Sequence, residues 1–139
     1  MSEAAIDDRQ AAICRALEAI GRGEFEVAVA IYAPDGVWDM SAVGMGVFEG
    51  RYAIREFLKD WREPYEELEL ALEELHDLGN EVTVAFVAQR GRLRGSMSPV
   101  SIGGGYVGVW RNTLVKRNTY YLDTDEARAA AERLAEERG

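Results

Sequence analysis

The sequence is poor in several residue types that support particular folds or chemistries. It has one cysteine, Cys14, and one histidine, His76, in 139 residues. A single cysteine excludes an internal disulfide and supplies no thiolate cluster for zinc, so we expect neither a metal nor another cofactor. No apolar run has the length of a membrane span or of the apolar core of a signal peptide. These absences predict a cytoplasmic protein without a membrane partner.

Basic residues are also scarce relative to acidic ones. The chain has 16 Lys and Arg against 25 Asp and Glu, a formal net charge of −9. This charge would repel a phosphate backbone over most of the surface, so nucleic acid is not an expected partner. The length and the hydrophobic fraction of 47% suit one globular domain spanning residues 1–139.

The first half of the chain has mainly helical periodicity. Apolar residues recur at helical spacing over 6–20 and 51–65, and a shorter helix is expected at 24–33, ending before a proline. A break at 33–36 leads into a short apolar strand at 37–40 and then a glycine-punctuated loop. Two helices, a strand and a third helix are therefore predicted in this half.

The second half changes to the alternating pattern of strands, and it ends in a helix. Residues 67–73 alternate Glu with apolar residues, the pattern of a half-buried strand. Further strands are expected at 81–94, 100–111 and 114–122, with turns at 76–80 and 112–113 and a last helix that begins with a capping box at Asp123 and Glu126. Helices followed by an antiparallel meander indicate an α+β fold, with the helices closing one face of the sheet.

Two segments carry a resemblance to a known family. IYAPDGVWDM followed by VFEGRYAIREFL resembles the nuclear transport factor-two-like superfamily, in its SnoaL-like branch of polyketide cyclases and ketosteroid isomerases. The resemblance covers nearly the whole chain and implies a cone-shaped domain, with N-terminal helices on a curved antiparallel sheet and a C-terminal helix. It also implies a small organic ligand.

The positions at which isomerases hold their catalytic groups do not carry those groups here. By the resemblance, the base falls on Met40, with Asp39 one residue out of phase. The phenol that polarises the substrate carbonyl falls on Ala16, and the acid partner falls near Tyr106. Because methionine cannot take a proton and alanine cannot donate a hydrogen bond, steroid isomerisation is not expected.

Asp39 is the candidate catalytic carboxylate for a SnoaL-like cyclase. Side chains alternate along a strand, so if Trp38 and Met40 point inward, Asp39 points away from the interior. A bulge would be needed to turn it inward as a general acid or base. The alternative is that Asp39 caps the loop that follows, around Ser41.

An aromatic set predicts an apolar pocket. Gly104, Tyr106, Gly108 and Trp110 share one strand face, so missing side chains flank a phenol and leave room for a ligand. The full set of expected ligand-binding residues is Tyr32, Trp38, Met40, Phe57, Trp61, Tyr106, Trp110, Asn118 and Tyr120.

Arg90, Arg92 and Arg94 share a strand face and have two alternative roles. They could clamp an anionic group at the rim of the pocket. Otherwise they are solvated or form ion pairs with the Glu-rich neighbouring strand.

The sequence thus leads to one hypothesis of function and one alternative. The hypothesis is a pocket for a small apolar organic molecule, such as a polyketide or terpenoid, with cyclase or isomerase activity. The alternative is a non-catalytic binding or dimerisation module with a vestigial pocket. We also expect a homodimer, because the outer sheet face carrying Val107 and Val109 lacks an obvious cover.

Overall fold

The computed structural model describes residues 3–139, and it has the α+β architecture that the sequence predicts. In chain order its elements are α1 (Glu3–Arg22), α2 (Phe25–Val29), β1 (Tyr32–Asp39), a short 3-10 helix (Ser41–Val43), β2 (Val47–Glu49), α3 (Arg51–Arg62), β3 (Tyr65–Gly79), β4 (Val82–Leu93), β5 (Pro99–Arg111), β6 (Leu114–Tyr121) and α4 (Thr124–Arg138). Within residues 3–139, no helix combines the length and the apolar composition needed to cross a membrane.

The strands form one six-stranded sheet in the order β2-β1-β6-β5-β4-β3. All neighbours are antiparallel except β1 and β6, which are parallel. The sequence missed β2, because three residues are too few to show a period.

The boundary between α2 and β1 differs from the prediction. The helix ends at Val29 rather than at residue 33, and β1 already begins at Tyr32. The expected break at 33–36 is a bulge in β1, where the pairing with β6 shifts between Tyr32 and Val37. The bulge accommodates Pro34 within the strand, and a Cβ at Gly36 would lie 2.9 Å from the carbonyl oxygen of Ala33.

The turn expected at 76–80 is shorter than predicted. His76 and Asp77 belong to β3, which pairs with β4 along its whole length and carries a bulge between Leu72 and Glu74. The turn consists of Asn80 and Glu81 alone, with φ of 55° and 67°. Two central residues with positive φ make the tight hairpin turn whose twist matches that of antiparallel strands.

Helices cover both faces of the sheet, whereas the sequence predicted one covered face. α1, α2 and α3 close the inner face, and α4 lies on the outer face, where it buries Ala127, Ala131 and Ala135 against Val84 and Val107. Asp123 caps this helix by accepting hydrogen bonds from the backbone N–H groups of residues 125 and 126.

The sequence predicts a dimer because the outer sheet face with Val107 and Val109 lacks an obvious cover, but in the structure this part of the face is already covered. Val107 and Val109 are already buried within the single chain, at 4% and 9% exposure. α4 can approach this closely because Gly105 lies beneath it, where any Cβ would collide with Ala127. Dimerisation itself stays a prediction.

Two arginines tie helices on opposite sheet faces to the turns at one end of the sheet. Arg9 of α1 is 3% exposed; its Nε donates to the carbonyl oxygen of Asn112 (2.8 Å), and its Nη2 pairs with a carboxylate oxygen of Glu81 (2.5 Å). From α4, Arg138 Nε donates to the carbonyl oxygen of Asn80 (2.9 Å). This end of the sheet is therefore held from both sides.

Candidate functional site

A cavity lies between the inner face of the sheet and helices α1 to α3. Its volume, counted over the positions that the centre of a water molecule can occupy, is about 90 Å³. A single water needs only roughly 10–15 Å³ on this measure, so the cavity has room for a small organic molecule. Six of the predicted residues line it: Tyr32, Trp38, Trp61, Tyr106, Trp110 and Asn118.

The other three predicted ligand residues do not line the cavity but pack near residues that do. Phe57 packs edge-on against Trp38 with ring centroids 5.2 Å apart, and Tyr120 packs against Tyr106 at 4.9 Å. Met40 is buried in the same apolar cluster. Direct contact of these three side chains with a ligand stays a prediction.

Much of the wall consists of residues that the sequence reasoning did not select. α1 contributes Ile13, Ala16, Leu17 and Ile20, and the sheet contributes Leu70, Thr83, Ala85, Val87 and Val115, with Ala28, Ile31 and Leu58 from the remaining elements. Their helical and alternating periods predict an inward direction. No local signal separates residues that border a cavity from residues that fill a core.

The two glycines expected to leave room for a ligand behave differently. Gly108 lines the cavity, next to the hydrogen bond from Trp110 Nε1 to Thr83 Oγ1 (2.8 Å). The space beside Gly104 is occupied by the ring of Tyr120, so this glycine serves packing. The strand face beside Gly104 therefore does not offer the free space that the sequence predicted.

Besides the indole nitrogens and the hydroxyl of Thr83, the polar side-chain groups of the cavity are two phenols and an amide. Tyr32 Oη accepts a hydrogen bond from Asn118 Nδ2 (3.0 Å). Burial raises the pKa of Tyr32 well above its ordinary value, although the Asn118 bond acts in the opposite direction. Burial also raises the pKa of Tyr106, and the nearby phenols of Tyr120 and Tyr32 add to the effect. Both phenols are thus protonated at neutral pH and can donate hydrogen bonds.

Two donors near the cavity have no partner in the described part of the chain. Trp38 Nε1 is buried without a hydrogen bond. Among residues 3–139, no group makes a hydrogen bond to the hydroxyl of Tyr106. A buried donor normally has a partner, so Trp38 Nε1, together with the unpaired hydroxyl of Tyr106 on the same cavity wall, marks where a ligand or water would bind.

Asp39 lies outside the cavity. Its carboxylate accepts hydrogen bonds from the backbone N–H (2.9 Å) and the hydroxyl (2.5 Å) of Ser41 and pairs with Arg117 (2.6 Å). Partial burial acts to raise the pKa of Asp39, but the hydrogen bonds from Ser41 and Arg117 outweigh it and hold the pKa below its ordinary value. The bulge of β1 precedes Asp39 and leaves it on the opposite side of the strand from Trp38. This is the capping arrangement, and a catalytic role for Asp39 stays a prediction.

Arg90 and Arg92 of β4, and Arg94 in the turn that follows it, also lie away from the cavity. Arg92 pairs with Glu67 (3.4 Å), and Arg94 pairs with Glu66 (3.0 Å). Arg90 is exposed on the same strand. Ion pairs with the neighbouring Glu-rich β3 are thus the observed arrangement for two of the three.

The six-stranded sheet and the helices on its inner face give the domain the nuclear transport factor-two-like fold, as in ketosteroid isomerase-like proteins. The SnoaL-like domain family model matches residues 13–113. The chain belongs to the SnoaL-like domain family.

Solved structures support the fold. A protein proposed to be an aromatic ring hydroxylase, from Novosphingobium aromaticivorans, is 22% identical, with a TM-score of 0.74 over 84% of this chain and 90% of that one. A protein of ketosteroid isomerase-like fold from Catenulispora acidiphila, in complex with trimethylamine, is 13% identical, with a TM-score of 0.71 over 88% and 92%. TerC, co-crystallised with polyporic acid, is 19% identical, with a TM-score of 0.70 over 91% and 98%. No curated protein matches the chain significantly. At these identities the likeness shows the fold alone.

Proposed function

We propose that this protein binds a small, largely apolar organic molecule in the cavity between the helices and the sheet. The observation that carries the proposal is a partly open, mostly apolar cavity bordered by three tryptophans and two phenols, Tyr32 and Tyr106. Ligand sites are typically concave and apolar, with a few placed polar groups, and this cavity has that composition. We propose a polyketide- or terpenoid-like compound as the ligand, since large aromatic side chains contribute to the lining.

We also propose cyclase or isomerase activity on such a compound, as membership of the SnoaL-like family favours. Within residues 3–139, the lining includes no carboxylate, imidazole, ammonium or guanidinium group. The phenols can stabilise negative charge on a substrate oxygen by donating hydrogen bonds. Proton removal would fall to water or to Asp39 after a local rearrangement of β1.

Ligand binding can be tested with indane, a small apolar bicyclic hydrocarbon. Because Trp38, Trp61 and Trp110 line the cavity, entry of indane should change the tryptophan fluorescence. Gly108→Leu fills the cavity from the sheet side and should weaken indane binding at least tenfold. Ala16→Phe fills it from α1 and should do the same without altering a strand.

The matched control is Ala129→Leu on the exposed face of α4, which adds a side chain away from the cavity. This variant should bind indane like the wild type. Undiminished binding in both filled variants would mean that indane binds elsewhere, and absence of binding to the wild type would contradict the proposal.

We propose in addition that two copies pair through the part of the outer sheet face that α4 leaves open. Ala71, Ala88 and Gly103 stand side by side across β3, β4 and β5. Because two of these residues carry only a methyl group and Gly103 has no side chain, a second sheet could approach closely. This row takes the place of the valine face that the sequence indicated.

A further inference from the structure

We propose that the cavity selects a neutral ligand that presents a hydrogen-bond-accepting oxygen, such as a ketone carbonyl, to Trp38, Tyr32 and Tyr106. The inference rests on the proposed function, because it assumes that the cavity binds a small molecule. It adds the chemical class of that molecule and the groups that recognise it.

The indole of Trp38 supplies the first donor. Trp38 is 6% exposed, and its Nε1 has no hydrogen-bond partner in the part of the chain that the structure describes. An indole nitrogen can only donate, so the missing partner must be an acceptor. Trp110 provides the contrast, because its Nε1 donates to Thr83 Oγ1 at 2.8 Å.

The two phenols supply further donors beside this indole. The oxygen of Tyr32 accepts from Asn118 Nδ2, so its proton is not used in that bond. The hydroxyl of Tyr106 makes no hydrogen bond to residues 3–139. The ring centroid of Trp38 lies 6.5 Å from that of Tyr32 and 6.4 Å from that of Tyr106. The three donor-bearing rings therefore lie close together on the wall of the same cavity.

The charges around the cavity favour a neutral ligand. The described lining includes no cationic side chain to pair with a carboxylate and no anionic one to pair with an ammonium group. Asp39 is on the other side of β1 and is already paired with Arg117. Burying an uncompensated charge is far less favourable than burying a carbonyl that receives hydrogen bonds.

This donor cluster is not the carbonyl site that the family resemblance would place on α1. Ala16 stands at the position of the isomerases' phenol, and it borders the cavity without a polar side-chain atom. Of the donors here, Tyr106 of β5 stands near the position of the isomerases' acid partner, whereas Tyr32 and Trp38 of β1 fall at none of the three isomerase positions. The inference is therefore specific to this chain's residues.

The test compares four compounds of the same shape: indane, indanone, aminoindane and indane carboxylate. We expect indanone to bind about fivefold to tenfold more tightly than indane, as one or two net hydrogen bonds would give. The charged compounds should bind more weakly than indanone. The infrared carbonyl stretch of indanone should move to lower frequency in the complex, which a purely apolar pocket would not cause.

Variants identify the donors. Tyr106→Phe and Trp38→Phe should each lower the ratio of indanone affinity to indane affinity and remove part of the infrared shift. The ratio is the readout because Trp38→Phe also alters the apolar wall that both compounds contact. Tyr52→Phe, which alters an exposed phenol on α3, is the control and should leave both values unchanged.

The outcomes separate this inference from the proposed function. Equal binding of indane and indanone by the wild type would overturn the inference and leave ligand binding intact. Tightest binding of aminoindane or of indane carboxylate would also overturn it, in favour of a charged ligand. Failure of all four compounds to bind would overturn both proposals.

Discussion

Replacing Arg9 by methionine should be among the most destabilising single changes in α1. Methionine keeps most of the length and apolar volume of the side chain but removes the guanidinium. That group is buried, donates to the Asn112 carbonyl and to Glu81, and lies over Trp110 with its Cζ 5.1 Å from the ring centroid. The substitution therefore tests an electrostatic anchor with little loss of packing.

The expected magnitude follows from these contacts. A hydrogen bond from a charged donor is worth about 1.5–3 kcal/mol, and a partly desolvated cation over an aromatic ring adds about 1 kcal/mol. The ion pair with Glu81 adds little, because the Glu81 side chain is 48% exposed. We expect Arg9→Met to lower the free energy of unfolding by about 3 kcal/mol, a fall in Tm of roughly 10 °C for a domain of this size.

Urea denaturation at neutral pH, followed by far-UV circular dichroism, measures the loss directly. Arg15→Met is the matched control, since Arg15 is an exposed arginine of the same helix, and it should change stability by less than about 0.5 kcal/mol. Near-UV circular dichroism should report a changed environment of Trp110 only in the Arg9 variant. Equal stability of the two variants would refute the argument that the buried guanidinium anchors α1.

Three further predictions concern other parts of the fold. Asp39→Asn should lower stability at pH 7 by about 1 kcal/mol, through the lost pairing with Arg117. Because the pKa of Asp39 is lowered in the folded state, its contribution is present above the unfolded-state pKa of about 3.9 and is lost as pH falls below that value. Denaturation at pH 7 and pH 3 should therefore show a smaller difference at pH 3, and loss of indane binding would contradict the placement of Asp39 outside the cavity. Gly105→Val should lower stability by about 1–3 kcal/mol by overpacking against Ala127, with partial recovery in the double variant with Ala127→Gly; an unchanged Tm would mean that α4 is not seated as described. Light scattering at micromolar concentration should give a dimer for the wild type and a monomer for Ala88→Glu, whereas a monomeric wild type would exclude the proposed pairing.

The elements that the sequence predicts well are those bounded by clear turn signals. β4 and β5 were placed within one residue at each end, because each is a long run of strand-forming residues between two predicted turns. The start of β1 was misplaced because Tyr32 is held in the sheet by Val115, a partner far along the chain. The local sequence pattern predicts a helix at Tyr32, but the pairing with β6 places this residue in the sheet.

The sequence predicted which side chains point toward the interior, but not which of them border the cavity. Alternation correctly turned Trp38 and Tyr106 toward the interior and Asp39 away from it. It could not show that Trp61 borders the cavity while Phe57 packs behind Trp38, since both lie on the inner side of α3. That difference depends on how far each ring reaches, which only the packed arrangement decides.

The alanine face of α4 has a consequence for access to the outer sheet face. Alanine buries little apolar area, so the contacts of Ala127, Ala131 and Ala135 with Val84 and Val107 are individually weak. The hydrogen bond from Arg138 to the Asn80 carbonyl adds to them, and so does the tether to β6 through Leu122 and Asp123, which gives the helix a high effective concentration over the valines. The same peptide supplied as a separate molecule would compete poorly for this face. Cleavage of the tether would therefore release α4 and leave a valine surface exposed to self-association.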